Sequence, residues 1–403
     1  MNQTTRRAYD SGRLPPNMSG QVVEQWPITT LGEIATIQSG SGFPVKFQGN
    51  HGEQYPFYKV GDMNTEGNEV RMENSNHTIT EEIRRKLKAK IFPAGSIIFP
   101  KVGGAIRTNK KRIIVKECCV DNNVMGLIPN EKKILPAYLF YFMTSVDLFE
   151  FSNKAALPSI RQSTVSEWEI PVPSLEEQQR IVSILDEAFQ NIASSTDNVQ
   201  SVSNSVKELI ETKLQTVFHE DSFKWKKIPF EKSIVKVKAT PKIKKREFKE
   251  FGSYPIISQE KEFINGYWNN SEDLLTIQTP VVVFGDHTKH LKYIDFDFVR
   301  GADGMKILQP IESILPKFFY HQLRSVKLET LGYARHYRLL KQIEIRVPSM
   351  EHQYQIASMF DDLDENISQI NGLYETELQS LQQLKESILQ EAFSGKLTGG
   401  TTA

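Results

Sequence analysis

The sequence of 403 residues lacks the segments that would direct a chain into or across a membrane. No apolar run approaches the roughly 18 residues that a membrane-spanning helix needs. The opening run MNQTTRRAYDSGRLPPNMSG is polar and has no secretory hydrophobic region, so we expect a disordered lead over residues 1–22. Cysteine is almost absent, since only the adjacent Cys118 and Cys119 occur. We therefore expect a reduced, cytoplasmic protein.

The motifs of common catalytic sites are also missing. There is no Asn/Asp-Pro-Pro-Tyr/Phe run of the kind that amino-methyltransferases carry. The SGSG run from Ser39 lacks the spacing of a dinucleotide fingerprint, and the SGKLT run from Ser394 lacks the residues of a P-loop. His287 and His290 have no third Cys or His ligand nearby. We predict no catalytic residues and no metal site in this chain.

Charge is balanced overall but divided by segment. The chain has 49 basic and 49 acidic residues. Lys224–Lys249 holds 11 Lys/Arg against two Glu, whereas Glu351–Phe393 holds nine Asp/Glu against one Lys. Such asymmetry indicates that different segments face different partners. The basic segment suits phosphates, and the acidic segment suits a protein partner.

One phrase occurs twice. IPVPSLEEQQRIVSIL begins at Ile170 and IRVPSMEHQYQIASMF begins at Ile345, and the match continues without a gap from Glu169–Phe218 onto Glu344–Phe393. Each copy predicts a long helix that starts after a Pro-Ser pair, with the serine as N-cap. Apolar residues then recur in alternating steps of four and three, which is the pattern of a coiled coil. The predicted seam includes Ile181, Leu185, Val202 and Leu209 in the first copy, and Phe360, Leu381 and Leu384 in the second. We favour the two helices packing on each other, with packing of each helix on its own globular domain as the alternative.

The regions before the two helices also correspond. YPFYKV from Tyr55 matches YPIISQ from Tyr254, GSIIFPKVGG from Gly95 matches PVVVFGDHTK from Pro280, and LPAYLFYFMTS from Leu135 matches LPKFFYHQLRS from Leu315. The first two pairs predict strands and the third predicts helices. The expected fold is α+β, with two mixed α/β domains in a pseudo-twofold arrangement, separated by an antiparallel two-helix coiled coil. The expected boundaries are 23–173, 174–219 (helix), 220–348, 349–397 (helix) and a tail over 398–403.

The doubled phrase, with VPSLEEQQ in one copy and VPSMEHQY in the other, resembles the specificity subunits of type I restriction-modification enzymes. The resemblance covers Trp26 to about Leu397 and departs at MEHQY, where the family usually keeps Glu-Gln. It implies a non-catalytic subunit with two target-recognition domains, each reading half of an asymmetric, split double-stranded DNA sequence. It also implies two conserved helices that dock two methyltransferase subunits, with two restriction subunits where these are present. S-adenosylmethionine, ATP and Mg²⁺ are expected on those partners.

Candidate DNA contacts lie in loops and are mainly basic, amide or aromatic residues with their neighbours, because Arg, Asn and Gln commonly read base edges. In the first domain they are Gln38, Ser39, Ser41, Phe43, Tyr58, Lys59, Asp62, Asn64, Lys101, Arg107, Lys110, Lys111, Arg161 and Gln162. In the second domain they are Lys242, Lys244, Lys245, Arg246, Tyr267, Trp268, Asn269, His287, Lys289, His290, Arg335, His336, Tyr337 and Arg338. The alternatives are ordinary turns with solvated lysines and, for Tyr267 and Trp268, core packing.

Two other functions stay open on the residues alone. One is an enzyme, a DNA methyltransferase or nuclease with a motif that we do not recognise. The other is a structural adaptor whose globular domains bind proteins. Binding of S-adenosylmethionine by the isolated chain would favour the enzyme, and salt-dependent binding of duplex DNA would argue against the adaptor.

Overall fold

The structure is a computed structural model that describes residues 26–219, 225–238, 240–329 and 335–398. The predicted lead at 1–22, Ala334 and the tail after Thr398 lie outside the described residues. The chain forms two compact units, which are residues 1–197 with 378–403 (unit 1) and residues 198–377 (unit 2). Both units combine strands and helices, and the α+β fold class is confirmed.

Unit 1 contains short strands and helices before its first long helix. Its strands are β1 (Ile28–Thr30), β2 (Ala35–Ser39), β3 (Tyr55–Tyr58), β4 (Arg71–Met72), β5 (Thr78–Ile79), β6 (Ile97–Pro100), β7 (Arg112–Ile114), β8 (Cys119–Val120), β9 (Val124–Pro129) and β10 (Glu169–Pro171). Its short helices are α1 (Leu31–Ile34), α2 (Glu81–Leu87), α3 (Pro136–Ser145) and α4 (Gln162–Ser166). Strands pair in the orders β1-β10, β2-β9-β6-β7-β4 and β5-β3-β8.

Unit 2 repeats this plan. Its strands are β11 (Lys226–Pro229), β12 (Ile234–Val235), β13 (Lys242–Ile243), β14 (Tyr254–Ile257), β15 (Gly266–Trp268), β16 (Leu274–Leu275), β17 (Val281–Gly285), β18 (Leu291–Ile294), β19 (Phe298–Gly301), β20 (Met305–Pro310) and β21 (Glu344–Val347). Its short helices are α6 (Phe230–Ser233), α7 (Pro316–Arg324) and α8 (Tyr337–Leu340). Strands pair in the orders β11-β21, β12-β20-β17-β18 and β13-β19-β14-β15, with β16 on β19.

Strand pairing confirms the correspondence between the two regions. β3 pairs in parallel with β8 and antiparallel with β5, and β14 pairs in the same two ways with β19 and β15. Tyr55 and Tyr254 begin the two equivalent strands. The predicted helices from Leu135 and Leu315 are α3 and α7, each with proline in its first turn, where the missing N–H costs nothing. The same supersecondary frame is thus built twice.

The repeated phrase opens two long helices, α5 (Leu175–His219) and α9 (Met350–Phe393). As predicted, Ser174 Oγ accepts a hydrogen bond from the N–H of Glu177 at 3.3 Å, and Ser349 Oγ accepts one from His352 at 3.4 Å. These bonds satisfy N–H groups that the first turn of a helix leaves without a partner.

Both long helices contribute to each unit. In unit 1, Lys385 of α9 lies over the ring of Phe189 of α5 at 4.8 Å, and Thr398, just beyond α9, hydrogen-bonds Glu177 in the first turn of α5. The helices therefore run antiparallel within unit 1. In unit 2, the rings of Phe218 and Phe360 stack with their centroids 5.8 Å apart.

The predicted apolar seam is wrong at several positions. Val202, Leu209 and Leu384 were placed in it, but their exposed fractions are 47%, 67% and 48%. Ile181 and Leu185 of α5, also predicted for the seam, are buried. The heptad pattern overestimated the stripe because it records only spacing, whereas burial depends on which neighbour each position faces.

A buried glutamine in each phrase explains why the phrase occurs twice. Gln178 accepts a hydrogen bond from the N–H of Leu135 at 2.8 Å and donates to the carbonyls of Lys133 and Pro173 at 3.1 and 2.9 Å. Gln353 makes the same three bonds, with the N–H of Leu315 at 2.7 Å and the carbonyls of Ser313 and Pro348 at 3.0 and 3.1 Å. Each amide ties the start of a long helix to the chain entering α3 or α7. The expected departure at MEHQY leaves this glutamine in place.

Two further findings concern cysteine and membrane spans. Cys118 and Cys119 are free thiols, and both are buried. Among the described residues, no helix combines the length and apolar character needed to cross a bilayer.

Candidate nucleic-acid interface

In unit 1, candidates from three separate segments of the chain lie next to each other and form a first group. Lys101 follows β6, and its Nζ donates to Ser39 Oγ at the end of β2 at 3.0 Å. The carbonyl of Lys101 accepts a hydrogen bond from the N–H of Ile160 at 2.9 Å, which fixes the segment before α4. The structure therefore brings Ser39, Lys101 and the Arg161 segment together, although more than 120 residues separate the first from the last.

Arg161 is the exposed basic residue of this first group. It lies at the N-cap of α4 and is exposed. The neighbouring Gln162 donates from Nε2 to the carbonyl of Ile37. Gln38 donates from Nε2 to the carbonyl of Ile91 at 2.6 Å. The two glutamines thus hold the backbone in place, and Arg161 is the side chain best placed to reach outward.

A second group in unit 1 surrounds the short 3₁₀ helix Val60–Asn64. Lys59 precedes this helix and its Nζ donates to Gln48 Oε1 at 3.0 Å, while Lys110 hydrogen-bonds the Asn64 side chain. Arg107 is exposed, and its guanidinium lies 3.7 Å from the centroid of the Phe149 ring. A stacked, exposed guanidinium keeps its hydrogen-bond donors free to meet a base or a phosphate.

Three candidates of unit 1 are buried, and we remove them from the interface. Tyr58 Oη donates to the carbonyl of Met72 at 2.9 Å within the core. Asp62 accepts a hydrogen bond from the N–H of Lys59 at 2.6 Å and so caps the 3₁₀ helix. Lys111 donates to Asn109 Oδ1 at 2.7 Å, and burial lowers the pKa of its ammonium group to about 7.

Two more candidates of unit 1 have internal roles. The Phe43 ring stacks on Phe57 with centroids 3.8 Å apart and contacts the edge of His77. Ser41 forms a parallel bridge with Asp121, and its N–H donates to the carbonyl of Val120 at 2.9 Å. Both residues are half-buried and help to hold the loop after β2.

In unit 2, Asp286 joins two of the predicted segments. It is buried at the end of β17, its carbonyl accepts a hydrogen bond from the N–H of His336 at 2.8 Å, and its Oδ1 accepts one from the N–H of Tyr337 at 2.8 Å. The turn carrying His287–His290 and the segment Arg335–Arg338 are therefore neighbours. Sequence reasoning missed Asp286 because it selected mainly side chains that could contact DNA, and an aspartate seldom does. The signal was an aspartate directly after an apolar strand, at a turn.

The side chains around Asp286 differ in availability. Arg335, Arg338 and His290 are exposed, and His287, Lys289 and Tyr337 are half-buried. His336 is fully buried, so we remove it as a DNA contact: its Nδ1 lies 3.0 Å from the carbonyl oxygen of Asp286, in a structural role. Arg335 and Arg338 are the outward-facing cations of this segment, as Arg161 is in unit 1.

The lysine run of unit 2 is exposed, as a phosphate-binding segment requires. Lys242 lies in β13, and Lys244, Lys245 and Arg246 lie at the short 3₁₀ helix that follows. Lys245 Nζ is 3.6 Å from Glu260 Oε1, but the Lys245 side chain remains 78% exposed. An exposed ion pair of this kind contributes about 0–1 kcal/mol and exchanges readily for a phosphate.

The aromatic candidates of unit 2 favour the packing alternative. The Trp268 indole N–H donates to Asp273 Oδ2 at 2.8 Å, and the ring packs on the core cluster that contains Ile256. Tyr267 is half-buried in β15, opposite Pro255. Asn269 is exposed, but its Oδ1 accepts a hydrogen bond from the N–H of Ser253 at 3.0 Å.

The equivalent loops of the two units are held by different chemistry. After β3, the buried Asn68 bonds the carbonyls of Asp62 and Asn74 at 2.8 and 2.7 Å. The loop after β14 is held by Lys292, a buried residue of β18. Lys292 Nζ donates to the carbonyl of Ser258 at 2.9 Å and to Asn265 Oδ1 at 3.0 Å, and burial lowers the pKa of this lysine. The frames correspond, whereas the loops built on them do not.

One cluster has the residue types of a metal site. His321, Asp361 and Asp364 place one ligand atom each within 4.8 Å of one another. However, Lys317 Nζ lies 3.1 Å from Asp361, and Arg324 forms a bidentate pair with Asp364 at 2.5 and 2.9 Å. Because the carboxylates already have cationic partners, the cluster is an ion-pair network that fastens α7 to α9.

Comparison with known proteins gives a consistent family. The model of the type I restriction modification DNA specificity domain matches residues 23–203 and 224–378. A putative type I restriction enzyme MjaX specificity subunit of Methanocaldococcus jannaschii is 24% identical over 423 positions, which cover 94% of this chain and 95% of that one. The EcoR124I/EcoR124II specificity subunit of Escherichia coli is 29% identical over 90 residues, or 22% of each chain.

Two solved structures share the fold. A chain from a study of complex assembly and conformational transition in a type I R-M system superposes with a TM-score of 0.71 at 15% identity, covering 93% of this chain and 99% of that one. The HsdS subunit from Thermoanaerobacter tengcongensis superposes with a TM-score of 0.53 at 15% identity, covering 93% and 98%. At these identities the likeness is one of fold.

Proposed function

The chain belongs to the type I restriction modification DNA specificity family, and on that premise we propose that it reads an asymmetric, bipartite DNA sequence, one half with each unit. It is a specificity subunit of a type I restriction-modification system, which recognises DNA and is not catalytic. The enzyme and adaptor alternatives are therefore not favoured.

One observation carries the proposal: the same frame is built twice and bears different loops. Strand pairing and the buried glutamines Gln178 and Gln353 repeat in both units. The exposed arginines differ in number and position, since Arg161 lies at the N-cap of α4 in unit 1, whereas Arg335 precedes α8 and Arg338 lies within it in unit 2. Because sequence is read through hydrogen bonds from such side chains to base edges, two unlike loop sets should read two unlike half-sites.

We further propose that two methyltransferase subunits, and two restriction subunits where present, assemble on this chain through the long helices. Leu209 of α5 and Leu373 of α9 have exposed fractions of 67% and 69%, so each long helix presents an apolar side chain at its surface. The exposed Glu375 and Glu377 lie close to Leu373 in sequence, and the acidic charge of this part of α9 disfavours DNA there. Apolar residues mixed with acidic ones suit a protein partner.

The chemistry of modification and cleavage would belong to the partners. We propose that S-adenosylmethionine, ATP and Mg²⁺ bind those subunits rather than this chain, and that the assembly acts on DNA in the cytoplasm. The isolated chain should then give no heat of binding with S-adenosylmethionine in titration calorimetry, whereas the assembled methyltransferase complex should bind it.

The test is methylome sequencing of cells that carry the methyltransferase partner with and without this chain. We expect one methylated motif, present only with the chain, in which two specified blocks flank several unspecified base pairs. Methylation of the same motif in cells without the chain would contradict the proposal, because specificity would then reside elsewhere.

A further inference from the structure

Unit 2 contains a basic cleft that lies largely outside the predicted candidates. Its cations are Lys236, Lys238, Lys242, Arg300 and Lys306, and the cleft has a volume of about 420 Å³. Small-molecule pockets of similar size are lined mainly by apolar and aromatic side chains. The concentration of five cations in this basic cleft points to a polyanion instead.

Two of the cations are direct cross-strand neighbours. Lys242 of β13 pairs in register with Arg300 of β19, and both side chains line the basic cleft. Like charges placed opposite each other destabilise a sheet. Arg300 Nη1 donates to the carbonyl of Thr240 at 2.8 Å, while its buried Nε has no hydrogen-bond partner in the described part of the chain. An anion in the cleft would relieve the repulsion.

Nearby carboxylates only weakly offset these charges. Lys242 Nζ lies 3.9 Å from Asp303, whose side chain is 94% exposed. Lys306 Nζ lies 4.0 Å from Asp286, whose Oδ1 already accepts the N–H of Tyr337. Within the described residues, no acidic side chain lies within ion-pair distance of Lys236 or Lys238. Glu231 also lines the cleft, but its Oε1 pairs with Lys341 Nζ at 2.8 Å. The cleft therefore keeps a positive charge.

The equivalent place in unit 1 has no such charge. Tyr58 pairs with Val120 as Ile257 pairs with Arg300, so Val120 stands where unit 2 has Arg300. Ser41 pairs with Asp121 in unit 1 as Ile243 pairs with Gly301 in unit 2. The residues directly before them therefore also correspond, and Gly40 lies where unit 2 has Lys242. A Cβ atom at Gly40 would lie 2.1 Å from the carbonyl oxygen of Asp121, so no side chain fits there. The paired cations are specific to unit 2.

We propose that the basic cleft binds backbone phosphates of DNA beside the half-site that unit 2 reads, an inference that rests on the proposed function. Tyr337 lines the cleft, and its N–H is held by Asp286, next to Arg338 and the turn with His287–His290. A strand whose phosphates lie in the cleft would thus pass beside the candidate base-reading side chains. Phosphate contacts fix the register of a protein on the duplex without specifying bases.

The test uses the assembled complex and compares the wild type with Lys236→Ala/Lys238→Ala. Binding to a target duplex and to a non-target duplex is measured over a range of salt concentrations. Each lost phosphate contact should reduce the slope of log K against log salt by about 0.9, so the double variant should lose up to about 1.8. Affinity for both duplexes should fall by a similar factor, and the methylated motif should stay the same.

Two matched variants serve as controls. Lys226→Ala/Lys327→Ala removes two exposed lysines of unit 2 outside the basic cleft and should leave the slope unchanged. Lys236→Arg/Lys238→Arg keeps the charge and should retain the wild-type slope. A loss of slope in this charge-conserving variant would contradict a role that depends on charge.

The outcomes separate this inference from the proposed function. If the wild-type complex binds its target and the alanine variant shows the same slope, the cleft does not hold DNA although the proposed function stands. If inorganic phosphate binds to the wild type and not to the variant while the slope is unchanged, the cleft is a site for a free anion. A wild-type complex that shows no preference for the methylated motif would overturn both.

Discussion

At the scale of single residues, Lys111 shows that a lysine can belong to the framework. Lys111 is 5% exposed, and burial lowers the pKa of its ammonium group to about 7 from an ordinary value of 10.5. Between pH 7 and pH 10.5, Lys111 is therefore more protonated in the unfolded chain than in the folded one. The free energy of unfolding should therefore rise with pH over this window, by at most about 1.4 kcal/mol per pH unit, and this part of the stability is lost as pH falls toward 7.

The measurement is urea unfolding of the wild type and Lys111→Met from pH 7 to pH 10. The difference between the two should grow in favour of the wild type as pH rises, because Met cannot titrate. Lys116→Met, at an exposed position in the same unit, should follow the wild type. Parallel curves for the wild type and Lys111→Met would show that Lys111 keeps its ordinary protonation in the fold.

The buried glutamines give a second prediction for single residues. Gln178→Ala leaves the N–H of Leu135 and two carbonyls without their partner, and each unsatisfied buried group costs about 1–3 kcal/mol. We expect a loss of at least about 2 kcal/mol in the free energy of unfolding. Gln178→Glu should also destabilise, because a carboxylate cannot donate to the two carbonyls. Gln179→Ala, at the exposed neighbouring position, should have little effect, and an equal loss there would contradict the anchor role.

Residue type alone did not separate exposed candidates, which stay predictions, from buried ones. Arg107, Arg161, Arg335 and Arg338 are exposed, as a DNA contact must be. Tyr58, Asp62, Lys111 and His336 have suitable chemistry but are buried. Sequence alone could not separate these groups, because a short polar run contains residues that point inward as well as outward, and each buried group has a partner far away in the chain or across a turn.

At the scale of elements, the long helices present a partly apolar, partly acidic surface. Leu373 is exposed in α9, as are Glu375 and Glu377 nearby. We expect Glu375→Lys/Glu377→Lys to weaken association with the methyltransferase, because complementary charges steer and hold protein partners. The measurement is co-purification of the partner with a tagged chain. Glu117→Lys/Glu131→Lys, which makes the same charge change on exposed loops of unit 1, should retain the partner at wild-type stoichiometry.

A proline variant tests whether the intact helix is needed. Leu381 is half-buried in α9, and Leu381→Pro should cost about 3 kcal/mol or more in helix stability. The partner should be lost together with part of the helical circular dichroism. Retention of the partner at full stoichiometry in both the charge variant and the proline variant would contradict docking on this helix.

The elements themselves could largely be predicted. The helices α5 and α9 begin after their Pro-Ser pairs, as the sequence predicted. The helices α3 and α7 begin at their Leu-Pro pairs, also as predicted. Caps and prolines act locally, so a short stretch of sequence is enough to predict them. Burial along the helices could not be predicted as well. Val202 and Leu209 fit the heptad pattern but are exposed, since burial depends on which neighbour is present and the pattern records only spacing.

At the scale of the whole molecule, duplication explains both what repeats and what differs. β3 pairs with β8 in unit 1 as β14 pairs with β19 in unit 2. The equivalent position nevertheless holds an apolar Val120 in unit 1 and a charged Arg300 in unit 2. The repeat in sequence predicted the shared frame. It could not predict the loops, because Asn68 in one unit and Lys292 in the other hold the loop backbone by unrelated hydrogen bonds.

The central claim is that each unit reads its own half of a bipartite target. The most direct measurement is methylome sequencing of cells carrying the methyltransferase partner with either the wild-type chain or Arg335→Ala/Arg338→Ala. Loss of a bidentate contact to a base removes about 1–3 kcal/mol of discrimination. The account predicts that one block of the methylated motif relaxes while the other block and the gap between them stay unchanged. Relaxation of both blocks together, or a change of the other block alone, would contradict it.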